Sequence, residues 1–383
     1  MSGRDLLLRV AQLSFEDRQS NKEIAETLLK EEILKKKSTA AHRVQQLIEE
    51  AGHWLLQEYA ELEKDRATAT PEHRLASDLC RKFSLLDARV VPGGELHAST
   101  EYVSLLKKYA RAAADYFDDV ANEADEQGKQ LHVLVSGGQP ILDMVSCLTD
   151  RKRANVYYYA AALIGRGKMT WAPHVGSETN ATVAWSRSGR IPRHLYYGTV
   201  PPCQVEQDDL DALPDKKQRH EFARDTIGKQ LRELASSRHV IDTLAEINDG
   251  VNMAFAGLGI PYASGLDADY GGAHIERLTM TGLLKPFGID PELLAKEGAV
   301  GDISYCLFDR KGQGRPSWKF FITAGEGTEH EGVDFYRKLV AHGKKVIVIG
   351  GARKEAALKP GLEARLFNVL ITDSFTAGRL LAS

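Results

Sequence analysis

The sequence predicts an α/β protein: a helical N-terminal segment followed by a mostly parallel sheet with helices on both faces. Three observations carry this. From Leu131 onward, short apolar runs alternate with amphipathic segments, the pattern of parallel strands joined by crossover helices. Several of those runs end on glycine, at Gly137-Gly138, at Gly301 before Asp302 and at Gly350-Gly351. Residues Arg4 to Lys64, by contrast, show helical periodicity and little else.

The N-terminal segment carries three apolar stripes at i, i+3, i+4 spacing. They are Leu6, Leu7, Val10, Ala11 and Leu13; Ile24, Ala25, Leu28 and Leu29; and Val44, Leu47, Ile48 and Ala51. Ser20-Asn21-Lys22-Glu23 reads as a capping box before the second helix, Ser20 capping and Glu23 reaching back. Ser38-Thr39 suits the start of the third. The Thr-, Ala- and Pro-containing stretch from Asp65 marks a linker, so the expected organisation is 1–64, a linker at 65–74, and a second domain at 75–383. In that domain a helix is expected over Leu75–Phe83, a short strand at Ala88–Val91 and a long helix over Tyr102–Asp125. Strands follow at Leu131–Val135, Val156–Ile164, Met253–Gly257, Lys345–Ile349 and Val369–Ile371, with one amphipathic helix over Arg219–Ile247.

Composition narrows the class. The 383 residues allow roughly two or three domains, and 43% hydrophobic with 27% charged residues is ordinary for a soluble protein. A net charge of -3 means that any nucleic-acid contact must come from a local patch. Cys80, Cys147, Cys203 and Cys306 are far apart with no C-x-x-C pair, which favours reduced thiols over a disulfide frame or zinc site. Met1 to Asp5 leads into a charged amphipathic segment, unlike a signal peptide, and no run approaches the ~18 apolar residues of a membrane helix. The expectation is a cytoplasmic protein with no membrane partner, metal or cofactor.

A series of motifs then falls in order: Leu79-Cys80-Arg81-Lys82-Phe83-Ser84-Leu85 before a Val-Val strand, and the strand ending at Ser136-Gly137-Gly138. After these come Phe255-Ala256-Gly257-Leu258-Gly259-Ile260, Gly298 to Asp302, and Phe308-Asp309-Arg310-Lys311-Gly312. Last are Gly350-Gly351 with Lys354, and Ile371-Thr372-Asp373. Each is weak alone; in this order and spacing, from about Leu75 to the C-terminus, the chain resembles the SorC/DeoR family of bacterial transcriptional regulators. The resemblance implies a Rossmann-like sheet of the ribose-5-phosphate isomerase and glucosamine-6-phosphate deaminase type, preceded by a helix-turn-helix domain. It also implies a homo-oligomer, dimer or tetramer, that binds a double-stranded DNA operator with an affinity set by a phosphorylated sugar. No catalysis is implied.

For the effector, Gly137, Gly138 and Gln139 form a strand–loop–helix junction where backbone can approach a phosphate and a helix N-terminus faces it; a tight turn with no ligand has the same appearance. The family usually carries Thr or Arg where Gln139 and Pro140 stand, leaving the Gln139 amide as the side-chain donor. Arg166 falls near a family phosphate contact, a role suited to its planar fork, or is simply solvated. Asn180 resembles the family's Asn at the start of the next helix, or is a helix cap. Asp302 matches an acidic position that holds sugar hydroxyls, or is a turn or capping aspartate. Lys354 follows Gly350-Gly351 where a helix begins. Lysine is disfavoured at that positive end, so a bound anion explains it best. Asp373 reads as structural.

The helix pair Ser20–Leu29 and Ser38–Glu50 has the order of a helix-turn-helix, the second helix entering the major groove. Lys36, Lys37, Ser38, Thr39, His42, Arg43 and Gln46 are the candidate DNA contacts, Arg43 suited to guanine and Gln46 to adenine. The intervening Leu29 to Lys35 has no glycine, unlike the family's short turn, and acidic residues slightly outnumber basic ones across Arg4 to Arg66. The competing reading is a sugar-phosphate isomerase or hydrolase, with Asp302 or Glu297 as general base.

Overall fold

The structure is a computed structural model. It describes residues 6, 9–16, 19–31, 33, 42–53, 70–95, 99–151, 153–163, 176–188, 205–236, 238–260, 284, 288–351 and 354–383. The chain divides into two compact units, Met1–Thr70 and Pro71–Ser383.

In the first unit a π-helical turn, Gln12–Glu16, precedes α1, Asn21–Lys30. The Ser20 capping box is present: Ser20 Oγ accepts from Glu23 N at 3.4 Å and Glu23 Oε2 accepts from Ser20 N at 2.7 Å. The next described helix, α2, covers 42–53; the positions 34–41 before it lie outside the described residues. The three apolar stripes meet in one core of Val10, Ala11, Leu13, Ile24, Ala25, Leu28, Val44, Leu47 and Ala51. Asn21 Nδ2 donates to Gln45 Oε1 at 2.6 Å, tying the start of α1 to α2.

The second unit opens with α3, Pro71–Phe83. Residues 71–74, expected in the linker, are its first turn, where proline's missing N–H is no loss. Then come β1 (Asp87–Val91), α4 (Ser99–Glu126), β2 (Leu131–Val135), α5 (Gln139–Cys147), β3 (Val156–Ala160), β4 (Ala162–Leu163) and α6 (Ser177–Ser188). The strand expected over Val156–Ile164 thus breaks at Ala161, and Ile164 lies outside the described residues. After α7 (Gln207–Asp211), the single helix expected over Arg219–Ile247 is two, α8 (Lys216–Ala235) and α9 (Arg238–Gly250). Ser236 Oγ donates back to Glu233 O at 2.6 Å, a local bond that competes with helix continuation. There follow β5 (Met253–Gly259), α10 (Pro291–Lys296), β6 (Ala299–Ile303), β7 (Cys306–Asp309), β8 (Ile322–Thr323), α11 (Val333–Ala341), β9 (Lys345–Ile349), α12 (Glu355–Glu363), β10 (Val369–Asp373) and α13 (Ser374–Ala382).

Six strands form a parallel sheet in the order β1-β10-β9-β5-β2-β3. Because side chains alternate across a strand, each strand feeds two cores. Val133, Val135, Phe255, Ile347, Ile349 and Ile371 pack on one face with α4, α5 and α6. Leu134, Ala254, Ala256, Val346, Val348 and Leu370 pack on the other with α3, α11, α12 and α13. All six strands therefore end at one edge, where Ser136, Gly257, Gly350 and Asp373 emerge.

One expectation needs correction. The run ending at Gly301-Asp302 is not a parallel strand. It is β6, antiparallel to β5 with Gly259 opposite Asp302, and it turns into antiparallel β7 with Ile303 opposite Cys306. The two-residue turn has Ser304 at φ 47° and Tyr305 at φ 71°, the doubly left-handed form that favours glycine and asparagine. Neither residue is one of those, and the buried Ser304 hydroxyl faces the buried Tyr336 hydroxyl. Strain of this kind is concentrated at functional sites. Ser304→Gly removes the left-handed penalty, so it should stabilise the protein by about 1 kcal/mol in urea unfolding, less what the contact with the Tyr336 hydroxyl contributes. A destabilised Ser304→Gly variant would show that the hydroxyl has a role in the folded chain.

Candidate functional site

The end of β5 organises the site. A Cβ on Gly257 would lie 2.7 Å from Gly137 O and 3.2 Å from Ser136 Oγ. A Cβ on Gly259 would collide with Asp302 Oδ1 at 2.0 Å. Between them, Leu258 O accepts from Lys354 Nζ at 2.5 Å. Three consecutive residues of one strand thus touch the loop after β2, the β6 carboxylate and the lysine before α12. Gly257 and Gly259 are two residues apart, roughly 7 Å along the strand, so these groups fit within the length of a small sugar.

Asp302 is buried, and its Oδ2 accepts from Tyr305 N at 3.2 Å while Oδ1 has no partner. Part of the expected turn role is therefore real, and one oxygen is left over. Burial pushes its carboxyl up to about 6, against the opposing pull of the Tyr305 N–H and the Lys354 ammonium. Lys354 is the N-cap of α12. Burial pushes its ammonium down, and the Asp302 carboxylate opposes that shift. Among the described residues, Lys354 has one hydrogen-bond acceptor for three donors. Both charges are short of partners in a dry setting, a cost that a ligand bearing an anion and hydroxyls would relieve.

On the other side of Gly257, Asn180 Nδ2 donates to Ser136 O at 3.0 Å and Gly138 O at 3.3 Å. Asn180 lies within the first turn of α6 and holds the glycine loop in place, rather than capping the helix from outside. Gly138 is the N-cap of α5 at φ 105°, a conformation open to glycine and strained for others. Gln139 Nε2, expected to face a phosphate, donates to Asp143 Oδ1 at 2.6 Å. The structure thus places Gly137, Gly138, Asn180, Asp302 and Lys354 around the β5 end, with Gln139 turned to Asp143. Arg166 lies outside the described residues.

Asp373 is fully buried. It caps α13 through Thr376 N at 2.8 Å and accepts from Tyr109 OH at 2.5 Å. The same Tyr109 OH occupies the space a Cβ on Gly351 would need, so α4 braces Gly351, whose carbonyl accepts from Lys354 N at 3.0 Å. Sequence reading missed Tyr109, Ser304 and the roles of Gly257 and Gly259. The alternate glycines at a strand end were the available signal; Tyr109 gave none within a long amphipathic helix. Glu297, the alternative to Asp302 as general base, is already engaged by Arg224 Nη2 at 2.6 Å and Trp318 Nε1 at 2.9 Å. Burial pushes it up, but those bonds outweigh burial and hold it below the usual carboxylate range. No metal-binding cluster of His, Cys, Asp and Glu occurs among the described residues. No helix among them is long and apolar enough to cross a membrane. Cys80, Cys147 and Cys306 form no disulfide among the described residues.

In the first unit, His42, Arg43 and Gln46 are exposed on α2, opposite buried Val44, Leu47 and Ala51. Arg43 Nη1 donates to Gln46 Oε1 at 3.3 Å and Glu50 Oε1 at 3.5 Å. Lys36, Lys37, Ser38 and Thr39 lie outside the described residues.

Residues 228–382 match the domain family described as "Putative sugar-binding domain". No curated protein matches the chain. Among solved structures, the fold is similar to that of the full-length sorbitol operon regulator SorC from Klebsiella pneumoniae. The TM-score is 0.54 at 17% identity, over 100% of this chain and 99% of that one. It is also similar to a DeoR family transcriptional regulator from Listeria monocytogenes, with a TM-score of 0.52 at 17% identity, over 81% of this chain and 100% of that one. The mixed α/β architecture with its parallel-rich sheet is thus the fold of those regulators.

The Asp302 carboxyl yields a pH prediction. Its folded pKa lies above the unfolded value near 4, so the native state binds the extra proton and wild-type stability falls as pH rises from about 4 to about 6. Asp302→Asn should lack that slope. At pH 7.5 it should be more stable than wild type by up to about 3 kcal/mol, less whatever support Lys354 loses, and the gap should narrow to about 1 kcal/mol at pH 4.5. Equal wild-type and variant slopes in urea unfolding would show that Asp302 is not charged in a dry site.

Proposed function

We propose, from the membership of residues 228–382 in a sugar-binding domain family and from the under-partnered Asp302 and Lys354, that this chain is a transcriptional regulator of carbohydrate metabolism. Its operator affinity is set by a phosphorylated sugar. The first unit acts as a helix-turn-helix domain and the second as a Rossmann-like, ribose-phosphate-isomerase-type effector domain, working as a dimer or tetramer in the cytoplasm. The observation that carries the reading is the meeting of Gly137 O, Asp302 Oδ1 and Lys354 Nζ over three residues of β5. Carbonyl and carboxylate oxygens accept from sugar hydroxyls, and the lysine donates to an anion.

Binding rather than turnover fits this group. Asp302 is one carboxylate beside one lysine, and the other candidate base, Glu297, is held by Arg224 and Trp318. Ligand closing over the β5 end stabilises one arrangement of the effector domain. If that arrangement differs in operator affinity, linkage follows. At the DNA end, Arg43 leaves Glu50 and Gln46 for a base or phosphate, an exchange of exposed partners that costs little.

Gel-shift titration on the DNA upstream of the protein's own coding region, with and without a panel of sugar phosphates, tests the reading. Arg43→Ala should weaken operator binding by about tenfold, the value of one charge-assisted contact. Lys354→Ala should weaken the effector response by about ten- to a hundredfold while leaving effector-free operator binding close to wild type. A normal effector response in Lys354→Ala would misplace the anion, and release of transformed sugar phosphate over hours would favour the enzyme instead.

A further inference from the structure

We propose that α13 carries the effector signal from Lys354 to α3, with Arg379 and Lys82 as the positioning residues at its two joints. This rests on the sugar-phosphate reading above and adds the route by which the site acts on the rest of the chain.

Helix α3 is the first element after the boundary between the two units, so its position fixes where the chain leaves the second unit. Its attachment to the sheet is narrow. β1, which follows it, is an edge strand with β10 as its one strand neighbour among the described residues. α3 itself packs on β1 and α13, and its Leu79 is buried in one core with Ala377 and Leu380 of α13. Lys82 then closes the C-terminal end of α13. Its Nζ donates to Leu380 O at 3.1 Å and to Leu381 O at 2.9 Å. The last carbonyls of a helix lack partners of their own, and a cation there also complements the dipole. Packing and a charged cap thus join α3 to α13.

The other end of α13 stands at the effector edge. Asp373 caps it and holds Tyr109, while Ser374 Oγ donates to Gly93 O at 2.8 Å and accepts from Gly93 N at 3.0 Å. Further along, Arg379 Nη1 lies 3.3 Å from Glu355 Oε1. Glu355 directly follows Lys354 and opens α12. The Arg379 guanidinium also lies over the Phe375 ring, 5.8 Å from its centroid, and so is braced on its own helix.

An anion seated at Lys354 changes this joint. In the empty site Lys354 and Glu355 are neighbouring opposite charges. A bound anion engages the lysine and sets a second negative charge beside Glu355, whose carboxylate then depends more on Arg379. The ion pair is therefore stronger in the bound state than in the free one. That is the differential interaction a ligand needs in order to shift an equilibrium. Leu380 and Leu381, the two residues after Arg379, are those whose carbonyls Lys82 holds, so a shift of α13 at Arg379 arrives directly at α3.

The test is hydrogen exchange by mass spectrometry on the full chain, alone and with ribose 5-phosphate, fructose 6-phosphate or glucose 6-phosphate. A ligand that binds should slow exchange at β6 and the start of α12, and should also change exchange in α13 and α3. Arg379→Gln should still show the slowing at α12 and lose the response in α3. Lys82→Gln should keep the response in α13 and lose it in α3, and Lys82→Arg, which can still donate to both carbonyls, should restore it. In gel shift with the upstream DNA, either glutamine variant should cut the ratio of operator affinities without and with ligand by about two- to fivefold, the range of an exposed ion pair. A purely structural role would lower the melting temperature and leave that ratio unchanged. An α3 response that survives both glutamine variants overturns the inference. So does a wild-type chain whose α12 responds and whose α3 does not; either result leaves the sugar-phosphate reading standing. No slowing at β6 or α12 with any of the three ligands overturns that reading, and the inference with it.

Discussion

What the rest of the site depends on is that no side chain fits at Gly257 or Gly259. β5 is a central strand, paired with β9 on one side and β2 on the other. Its final residues are where three separate chain segments come closest to a backbone. A methyl group at Gly259 would sit inside the Asp302 carboxylate, and one at Gly257 would press on the carbonyl of Gly137. Backbone carbonyl cannot give way as a flexible side-chain end can. The two glycines therefore set how near the β6 hairpin and the β2–α5 loop can stand, and Lys354 reaches Leu258 O in the gap between them.

This crowding has an electrostatic consequence. The β6–β7 hairpin folds back on β5 antiparallel, through a turn of two left-handed non-glycine residues, and so delivers a carboxylate to an edge that parallel strands supply with glycines and helix starts. Asp302 arrives there desolvated, with one oxygen paired and one not. Lys354 is driven by burial toward its neutral form while Asp302 resists that shift. Neither charge is fully compensated by the chain. Such incompletely paired charges cost stability in the empty protein. That cost is the same free energy a complementary ligand recovers on binding, so the native state gains stability with the logarithm of ligand concentration once that exceeds Kd.

Much of this was legible in the amino-acid sequence, and the reasons differ by element. Buried parallel strands such as Leu131–Val135 and Lys345–Ile349 declare themselves as short unbroken apolar runs, and the Ser20 capping box is a local reciprocal bond with a local signature. Asp302 and Lys354 stand out because Gly301 directly precedes the one and Gly350-Gly351 closes the apolar run just before the other. The direction of β6 was not legible. Whether the run Ala299–Ile303 pairs parallel or antiparallel is decided by contacts forty residues away at Leu258 and Gly259, and the turn that would announce a hairpin lacks the usual Asn-Gly. The break between α8 and α9 was missed because both halves keep the same helical period, and only the serine pair at 236–237 interrupts it. Tyr109 was invisible for a related reason: on α4 it falls in the buried stripe, and its hydroxyl acquires meaning only when Asp373 and Gly351 are brought beside it.

The bracing of Lys354 explains why a lysine can be held at a helix N-terminus at all. The α12 N-terminus repels a cation, and an unconstrained side chain would swing to water. Gly351 admits the Tyr109 hydroxyl against its own Cα, and that hydroxyl is fixed by Asp373, whose other oxygen caps α13. Gly351 is thereby clamped between α4 and the end of β10, its carbonyl accepts from Lys354 N at 3.0 Å, and Lys354 Nζ donates to Leu258 O. Asp373 is structural in this sense: it touches no part of the β5 end, yet the position of the lysine follows from it. The arrangement separates Tyr109 and Asp373, which are bonded to each other and hold Gly351, from Asp302 and Lys354, which are left with unused hydrogen-bonding capacity. That division suits a sensor, because a ligand can then change the energy of the facing groups without having to rebuild the frame that positions them.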